Sequence, residues 1–256
     1  MKNIFRFSVT FLIVMAFSAK IATCEPLPEF NIITERWLPY QFEEGGKVQG
    51  VSVDLLVLLL KHVGSSQGRE SIKIYPWARA YREAQNNRNT ILFLTTRTPE
   101  RENLFKWVGP AIKNRWLLIA KKNRRLKIES ATDLNDYTFG TVIDDVGENH
   151  LLNLAVKREQ LERNTAYINC IKMIQADRVD MVVMSWETFS LYAMQGGIDR
   201  ENFEKVFTIG ERDLYYAFHK DTSDWIIDKF QKAFDGLNAE GKIDALIWKY
   251  KTTKEN

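Results

Sequence analysis

Ile91-Leu92-Phe93-Leu94-Thr95-Thr96-Arg97-Thr98-Pro99-Glu100-Arg101 joins an unbroken apolar run to a polar, turn-forming segment. A short apolar run bounded by turn residues reads as a buried strand, which puts the hydroxyls and guanidiniums at that strand's carboxyl end. In open α/β sheets, ligands bind at that end. Thr95, Thr96 and Thr98 offer hydroxyl donors, and an Arg fork grips a carboxylate through two parallel hydrogen bonds, so the segment suits a small anionic ligand. A second reading makes Thr98 an N-cap, with Pro99 the first helical residue and Glu100 and Arg101 in solvent. The two readings are compatible, because a capped helix N-terminus itself attracts anions.

The same alternation extends to both sides. Residues 30–34 and 71–75 read as strands, 51–61 as a largely buried helix closing near Gly64, and 77–85 as a helix after Pro76. Further strands are expected at 116–120, 137–142, 179–184 and 214–219, and helices at 149–157, 167–176, 224–237 and 241–250. Short strands alternating with helices indicate α/β architecture with a mostly parallel sheet. The strand at 214–219 returns toward the first unit, so one lobe is interrupted by another. Crossings near 117–121 and 213–219 would form a hinge with a cleft beside it. The basic run Lys121, Lys122, Arg124, Arg125 and Lys127 reads as a solvated loop between lobes, or else as a docking surface.

With 45% hydrophobic and 27% charged residues over 256 positions, the chain is globular in composition. Residues 1–24 are a separate class of segment: Lys2 and Arg6, an apolar stretch shorter than a typical ~20-residue membrane span, then small residues. This is the layout of a secretory signal peptide, which implies export to the periplasm. Cleavage before Glu25 is expected, with lipidation of Cys24 as the alternative. Removing that segment leaves 33 basic residues against 33 acidic ones. The +3 formal charge therefore belongs to the signal, and nucleic-acid binding loses its compositional support. Cys24 and Cys170 cannot make a disulfide framework, and Cys170 reads as a small core residue. His62, His150 and His219 lack metal-ligand spacing, and no nucleophile elbow or phosphate loop is present. No cofactor or metal is expected.

Taken in order, Trp37-Leu38-Pro39-Tyr40, Gly50-Val51-Ser52-Val53-Asp54-Leu55, Thr96-Arg97-Thr98-Pro99-Glu100-Arg101 and Asp177-Arg178-Val179-Asp180 resemble the type II periplasmic solute-binding proteins of ABC transporters, extracellular family 3. A subgroup is similar through Tyr75-Pro76-Trp77-Ala78-Arg79-Ala80 and Phe105-Lys106-Trp107-Val108-Gly109-Pro110. The resemblance implies a two-lobed periplasmic-binding-protein-like fold (type II), each lobe a mostly parallel sheet flanked by helices. Lobe 1 would be 25–118 plus 214–256, and lobe 2 would be 119–213. It further implies capture of a small polar, carboxylate-bearing solute, an amino acid or a related compound, by cleft closure. A monomer would then deliver the solute to an ABC-type permease in the inner membrane.

Carried over residue by residue, Arg101 matches the carboxylate-holding Arg, Thr96 a hydroxyl partner of the same group, and Tyr40 an aromatic cover. The family's second lobe adds a Thr after a Gly-Thr pair and an acidic residue for the ligand ammonium. Here Gly140-Thr141 is present, Val142 takes the further Thr position, and Ser185 stands where the acid is expected. Because a desolvated ammonium needs a charged partner, Glu187, Asp144 or Asp145 would have to replace it, or the ligand lacks an ammonium. The expected ligand set is Tyr40, Trp77, Arg79, Thr96, Arg101, Thr141 and Ser185. Trp186 is an ambiguous neighbour, and Asp180 reads as a turn acid. Two other classes stay open: a dehydratase-like periplasmic enzyme using Glu187 as acid or base, and a sensory or signalling module.

Overall fold

A computed structural model describes residues 26–252. The expectations for the signal segment and Cys24 lie outside the described residues. Ten strands and seven helices follow in chain order among those described: β1 (Asn31–Thr34), β2 (Phe42–Glu44), β3 (Lys47–Gln49), α1 (Val51–His62), β4 (Ile72–Ile74), α2 (Trp77–Asn86), β5 (Thr90–Thr96), β6 (Phe105–Lys121), β7 (Phe139–Val142), α3 (Val146–Asn153), β8 (Leu161–Asn164), α4 (Tyr167–Gln175), β9 (Met181–Met184), α5 (Trp186–Gln195), β10 (Phe203–His219), α6 (Asp224–Ala239) and α7 (Lys242–Thr252).

Eight strands form one sheet in the order β4-β1-β5-β10-β6-β9-β7-β8, and β2 and β3 make a separate hairpin. Two long strands carry the sheet from one half to the other. β5 pairs with β10 over Leu214 to Phe218, and β9 pairs with β6 over Leu117 to Ala120, so each half uses a different stretch of the same two strands. The sequence reading found only the apolar ends of these strands. Their middles alternate exposed and buried residues, as at Lys113-Asn114-Arg115-Trp116, with polar Asn114 among the buried ones, and pair in register from Asp213 to Gly210.

β5 is buried at every position, which is why its sequence is apolar without alternation. β1 runs parallel to β4 and β5, and β7 runs parallel to β8 and β9. The carboxyl ends of each parallel set therefore emerge on one edge of their half. Helices cover the faces: α2 lies on β5 and β1, α6 on β6, α4 on β7 and β9, and α3 on β7, β9 and β10. α1 buries Leu55, Leu56, Leu59 and Leu60, at about 1.5–3 kcal/mol each. It begins at Gly50, whose φ of 127° and approach to Tyr40 admit no side chain, since a Cβ there would lie 2.1 Å from the Tyr40 carbonyl oxygen. Cys170 is buried and free, in keeping with a core role.

The basic run after β6 is tied down locally. Lys121 pairs with Asp177 at 2.8 Å, and Arg124 pairs with Asp180, which also accepts from the Thr138 amide and hydroxyl at 2.8 and 2.9 Å. Asp180 is thus a turn-fixing acid. Among the described residues, no helix is long and apolar enough to cross a membrane.

Candidate functional site

Six carboxyl ends converge between the two halves. From the first come Glu35 after β1, Trp77 after β4 and Arg101 after β5; from the second come Asp145 after β7, Tyr167 after β8, and Ser185 and Thr188 after β9. This is the edge at which α/β sheets place ligands. Direct hydrogen bonds join the halves here. Trp77 Nε1 and Arg101 Nη2 donate to the Asp144 carbonyl at 2.9 and 3.1 Å, Trp37 Nε1 to Thr188 Oγ1 at 2.9 Å, Thr188 Oγ1 to the Leu38 carbonyl at 3.0 Å, and Tyr192 Oη to the Arg36 carbonyl at 3.1 Å.

Three charged groups are enclosed by these contacts. Glu35, Arg101 and Asp145 are 7%, 5% and 8% exposed. Arg101 lies 5.1 Å from the Trp77 ring and 4.8 Å from the Tyr81 ring, two side chains one turn apart on α2. Its remaining protein partner is the Thr96 carbonyl at 3.5 Å. Asp145 caps α3, accepting from the Gly147 amide at 3.3 Å and from Tyr167 Oη at 3.1 Å. Glu35 accepts no hydrogen bond from the described residues, and no acid among them stands within ion-pair distance of Arg101.

The electrostatics follow from this enclosure. Burial, then the neighbouring charge of Asp145, push the Glu35 carboxyl well above its ordinary value, and Arg101 offsets only part of that. Burial raises Asp145 as well, against the pull of Arg101 and of its backbone hydrogen bonds. Tyr167 is raised well above its ordinary value by burial and by Asp145, so its hydroxyl stays protonated and donates. The enclosed cluster therefore holds one guanidinium and two carboxyl groups with no hydrogen bond between them.

Several residues singled out by sequence meet here and others do not. Trp77, Thr96 and Arg101 sit together, although Thr96 touches Arg101 through its carbonyl rather than its hydroxyl. Thr98 caps no helix: the Arg101 amide bonds the Thr98 carbonyl at 3.0 Å in a turn, and the three-residue 3-10 helix that follows starts at Glu102. Arg79 is exposed and stacks on Tyr75 at 3.9 Å, because its place on α2 is the face opposite Trp77 and Tyr81. Arg97 is likewise exposed, with a two-pronged grip on Glu102 at 2.7 and 2.5 Å.

Thr141 stands inside β7, buried, and its hydroxyl donates to Glu148 at 3.2 Å. The Gly-Thr pair is thus four residues too early to begin the helix, and Asp145 is the residue at the cleft. Ser185 caps α5, accepting from the Thr188 amide at 3.2 Å and donating to Thr188 Oγ1 at 2.9 Å, so its hydroxyl belongs to the contact that joins the halves. Tyr40 packs edge-on against Trp37 at 5.0 Å and lines a second cavity of about 860 Å³ with Trp186 and Glu187. Glu187 is exposed there, apart from the Arg101 cluster. Sequence reasoning missed Glu35, Trp37, Tyr167 and Thr188. Glu35 directly follows β1 as Arg97 follows β5, so the carboxyl-end rule already pointed to it.

A family model described as bacterial extracellular solute-binding proteins, family 3, matches residues 31–253. The chain belongs to that family. A probable histidine-binding protein of Campylobacter jejuni is 22% identical over 222 residues, covering 83% of this chain and 80% of that protein. Among solved structures, an ancestral arginine-binding protein bound to arginine superposes with a TM-score of 0.72 at 20% identity, covering 86% of this chain and 96% of the other. A substrate-binding protein of an ABC uptake transporter from Streptococcus pneumoniae, with bound histidine, gives 0.74 at 18% identity, covering 86% and 90%. The two-lobed periplasmic-binding-protein fold expected from sequence is the fold of these neighbours. Among the described residues no group of three or more His, Cys, Asp and Glu side chains is placed to hold a metal ion.

Proposed function

We propose that this protein captures a free α-amino acid outside the cytoplasm and hands it to an ABC-type permease. Lobes 25–118 plus 214–256 and 119–213 would close over it, in a monomer that performs no chemistry on the ligand. The observation that carries this reading is the separation of opposite charges. Arg101 is buried with most of its donors free, and two buried acids face it out of ion-pair reach. A zwitterion fits that arrangement: its carboxylate takes the Arg101 fork, and its ammonium takes Asp145 with Glu35 beside it.

An acid without an ammonium would leave the two carboxylates facing each other, which burial makes costly. Asp145 thus fills the place that Ser185 leaves vacant. The relatives named for histidine and arginine support an amino-acid ligand. Trp37 and Trp77 are the aromatic walls, held by Thr188 and by the Asp144 carbonyl of the opposite lobe. Calorimetric titration of the twenty amino acids into the exported chain tests this. Saturable binding of at least one, lost in Arg101→Ala, is the expected result; binding that survives Arg101→Ala unchanged refutes the clamp.

A further inference from the structure

Four of the eight buried side-chain polar atoms that lack a partner among the described residues lie on one face of the hinge: Asn114 Nδ2 and Oδ1, Trp116 Nε1 and His150 Nε2. In the β6–β10 ladder Trp116 is opposite Gly210 and Asn114 is opposite Arg212. Directly paired residues share a face, and residues two apart repeat it. His150, from α3, covers that face: a Cβ at Gly210 would lie 2.5 Å from its Nε2, and its ring is 5.6 Å from that of Trp116. Gly210 is therefore the gap that lets the imidazole reach the hinge.

The face abuts Asp145. A Cβ at Gly147 would stand 3.2 Å from Trp116 Cδ1 and 3.3 Å from Asp145 Oδ2, so the indole N–H, one bond from Cδ1, lies within a small side chain's reach of the Asp145 carboxylate. His150 lines a cavity of about 470 Å³ with Arg212, Asp144, Thr98 and Arg101, and Asn114 lines the cavity of about 860 Å³ shared with Tyr40 and Glu187, so the face borders two spaces within the ~300–1,000 Å³ range of small-molecule sites. Burial and the charge of Arg212 lower His150 from its ordinary value, which keeps the imidazole neutral.

We propose that this hinge face receives the side-chain end of the bound amino acid, and that this end is a neutral group with both an acceptor and a donor, such as an amide, a ureido group or an imidazole. The proposal rests on the amino-acid reading of the cleft. Trp116 Nε1 only donates, so it needs an acceptor; Asn114 presents a donor and an acceptor; neutral His150 Nε2 matches either according to tautomer. An aliphatic end would leave all four atoms unpartnered, and an ammonium end would leave the indole N–H so.

The test measures affinities of L-glutamine, L-citrulline, L-histidine, L-lysine and L-norleucine for wild type, Trp116→Phe and Asn114→Leu, with thermal unfolding as the folding control. The expected result is a preference of about tenfold or more for the first three over norleucine and lysine, from one or two matched hydrogen bonds. That preference should shrink in Trp116→Phe while norleucine binding holds, and Asn114→Leu reads the same ratio if the aromatic variant fails to fold. Equal binding of norleucine, or an unchanged ratio in both variants, overturns the subsite. If amino acids bind in an Arg101-dependent way without such a preference, the subsite alone fails. If none binds, the amino-acid reading fails and takes the subsite with it.

Discussion

On the first lobe Arg101 uses two of its five N–H donors and Glu35 accepts none, whereas on the second Asp145, Ser185 and Thr188 all have partners within their own lobe. The free hydrogen-bonding capacity is thus concentrated on the lobe that carries β1 and β5. The second lobe brings groups whose orientation is already fixed: Asp145 by Tyr167 and the start of α3, Thr188 by Ser185. A ligand would gain most of its polar contacts from the first lobe and be enclosed by the second. Trp37-to-Thr188 and Trp77-to-Asp144 bonds would then hold a closed form without passing through the ligand. On the proposed reading, specificity and closure fall to different residues.

The largest expected effect separates these roles. Arg101→Ala should weaken amino-acid binding by about a hundredfold or more, the ordinary consequence of removing one partner of a buried charge pair, as read by calorimetric titration. Thr188→Val acts on closure: it leaves Trp37 Nε1 and the Leu38 carbonyl unpartnered, at about 1–3 kcal/mol. Thermal unfolding should fall by roughly 2–8 °C, with the radius of gyration of the empty protein increased in solution scattering. No change in either measure would show that the halves do not depend on this contact.

A third expectation concerns pH. Glu35 and Asp145 both titrate above their ordinary values in the folded chain, so folding takes up protons. Their contribution to stability is greatest below the ordinary carboxylate range and is lost as pH rises through the raised values. Glu35→Gln removes the Glu35 share of that loss. The melting temperature of the variant should match wild type in acid and exceed it increasingly toward neutral pH; a difference that stays flat would place Glu35 in solvent. The smallest effect belongs to Arg79→Ala, which removes an exposed stack on Tyr75 and should change affinity by less than about twofold.

The sequence made the fold readable where burial is complete. β5 is apolar throughout because both of its faces are covered, and the helices of 51–62 and 224–239 carry leucine and phenylalanine at helical spacing. The edge strand β8, Leu161-Glu162-Arg163-Asn164, was invisible because only its first residue is buried. The centres of β6 and β10 were missed for a similar reason, since a hinge strand exposed on one side does not present an apolar run. Arg101, Thr96 and Trp77, singled out in the sequence, stand together in the structure. Thr141 was placed by a Gly-Thr pair that lies in β7, whereas Asp145, its side chain accepting the Gly147 amide, marks the true helix start. Thr188 and Tyr167 take their roles from partners more than a hundred and some twenty residues away, which no local pattern records.

The proposed cleft for a zwitterion, argued from a buried guanidinium and two buried carboxyl groups held apart, is open to direct measurement. The tightest-binding α-amino acid would be titrated beside two analogues of the same carbon skeleton, one lacking the ammonium and one lacking the carboxylate. Binding of the amino acid with loss of at least about a hundredfold for each analogue is expected, because each leaves one buried charge of Arg101 or Asp145 unanswered. A deaminated analogue that binds as tightly as the amino acid would contradict the role given to Asp145 and Glu35, and leave Arg101 as a simple carboxylate clamp.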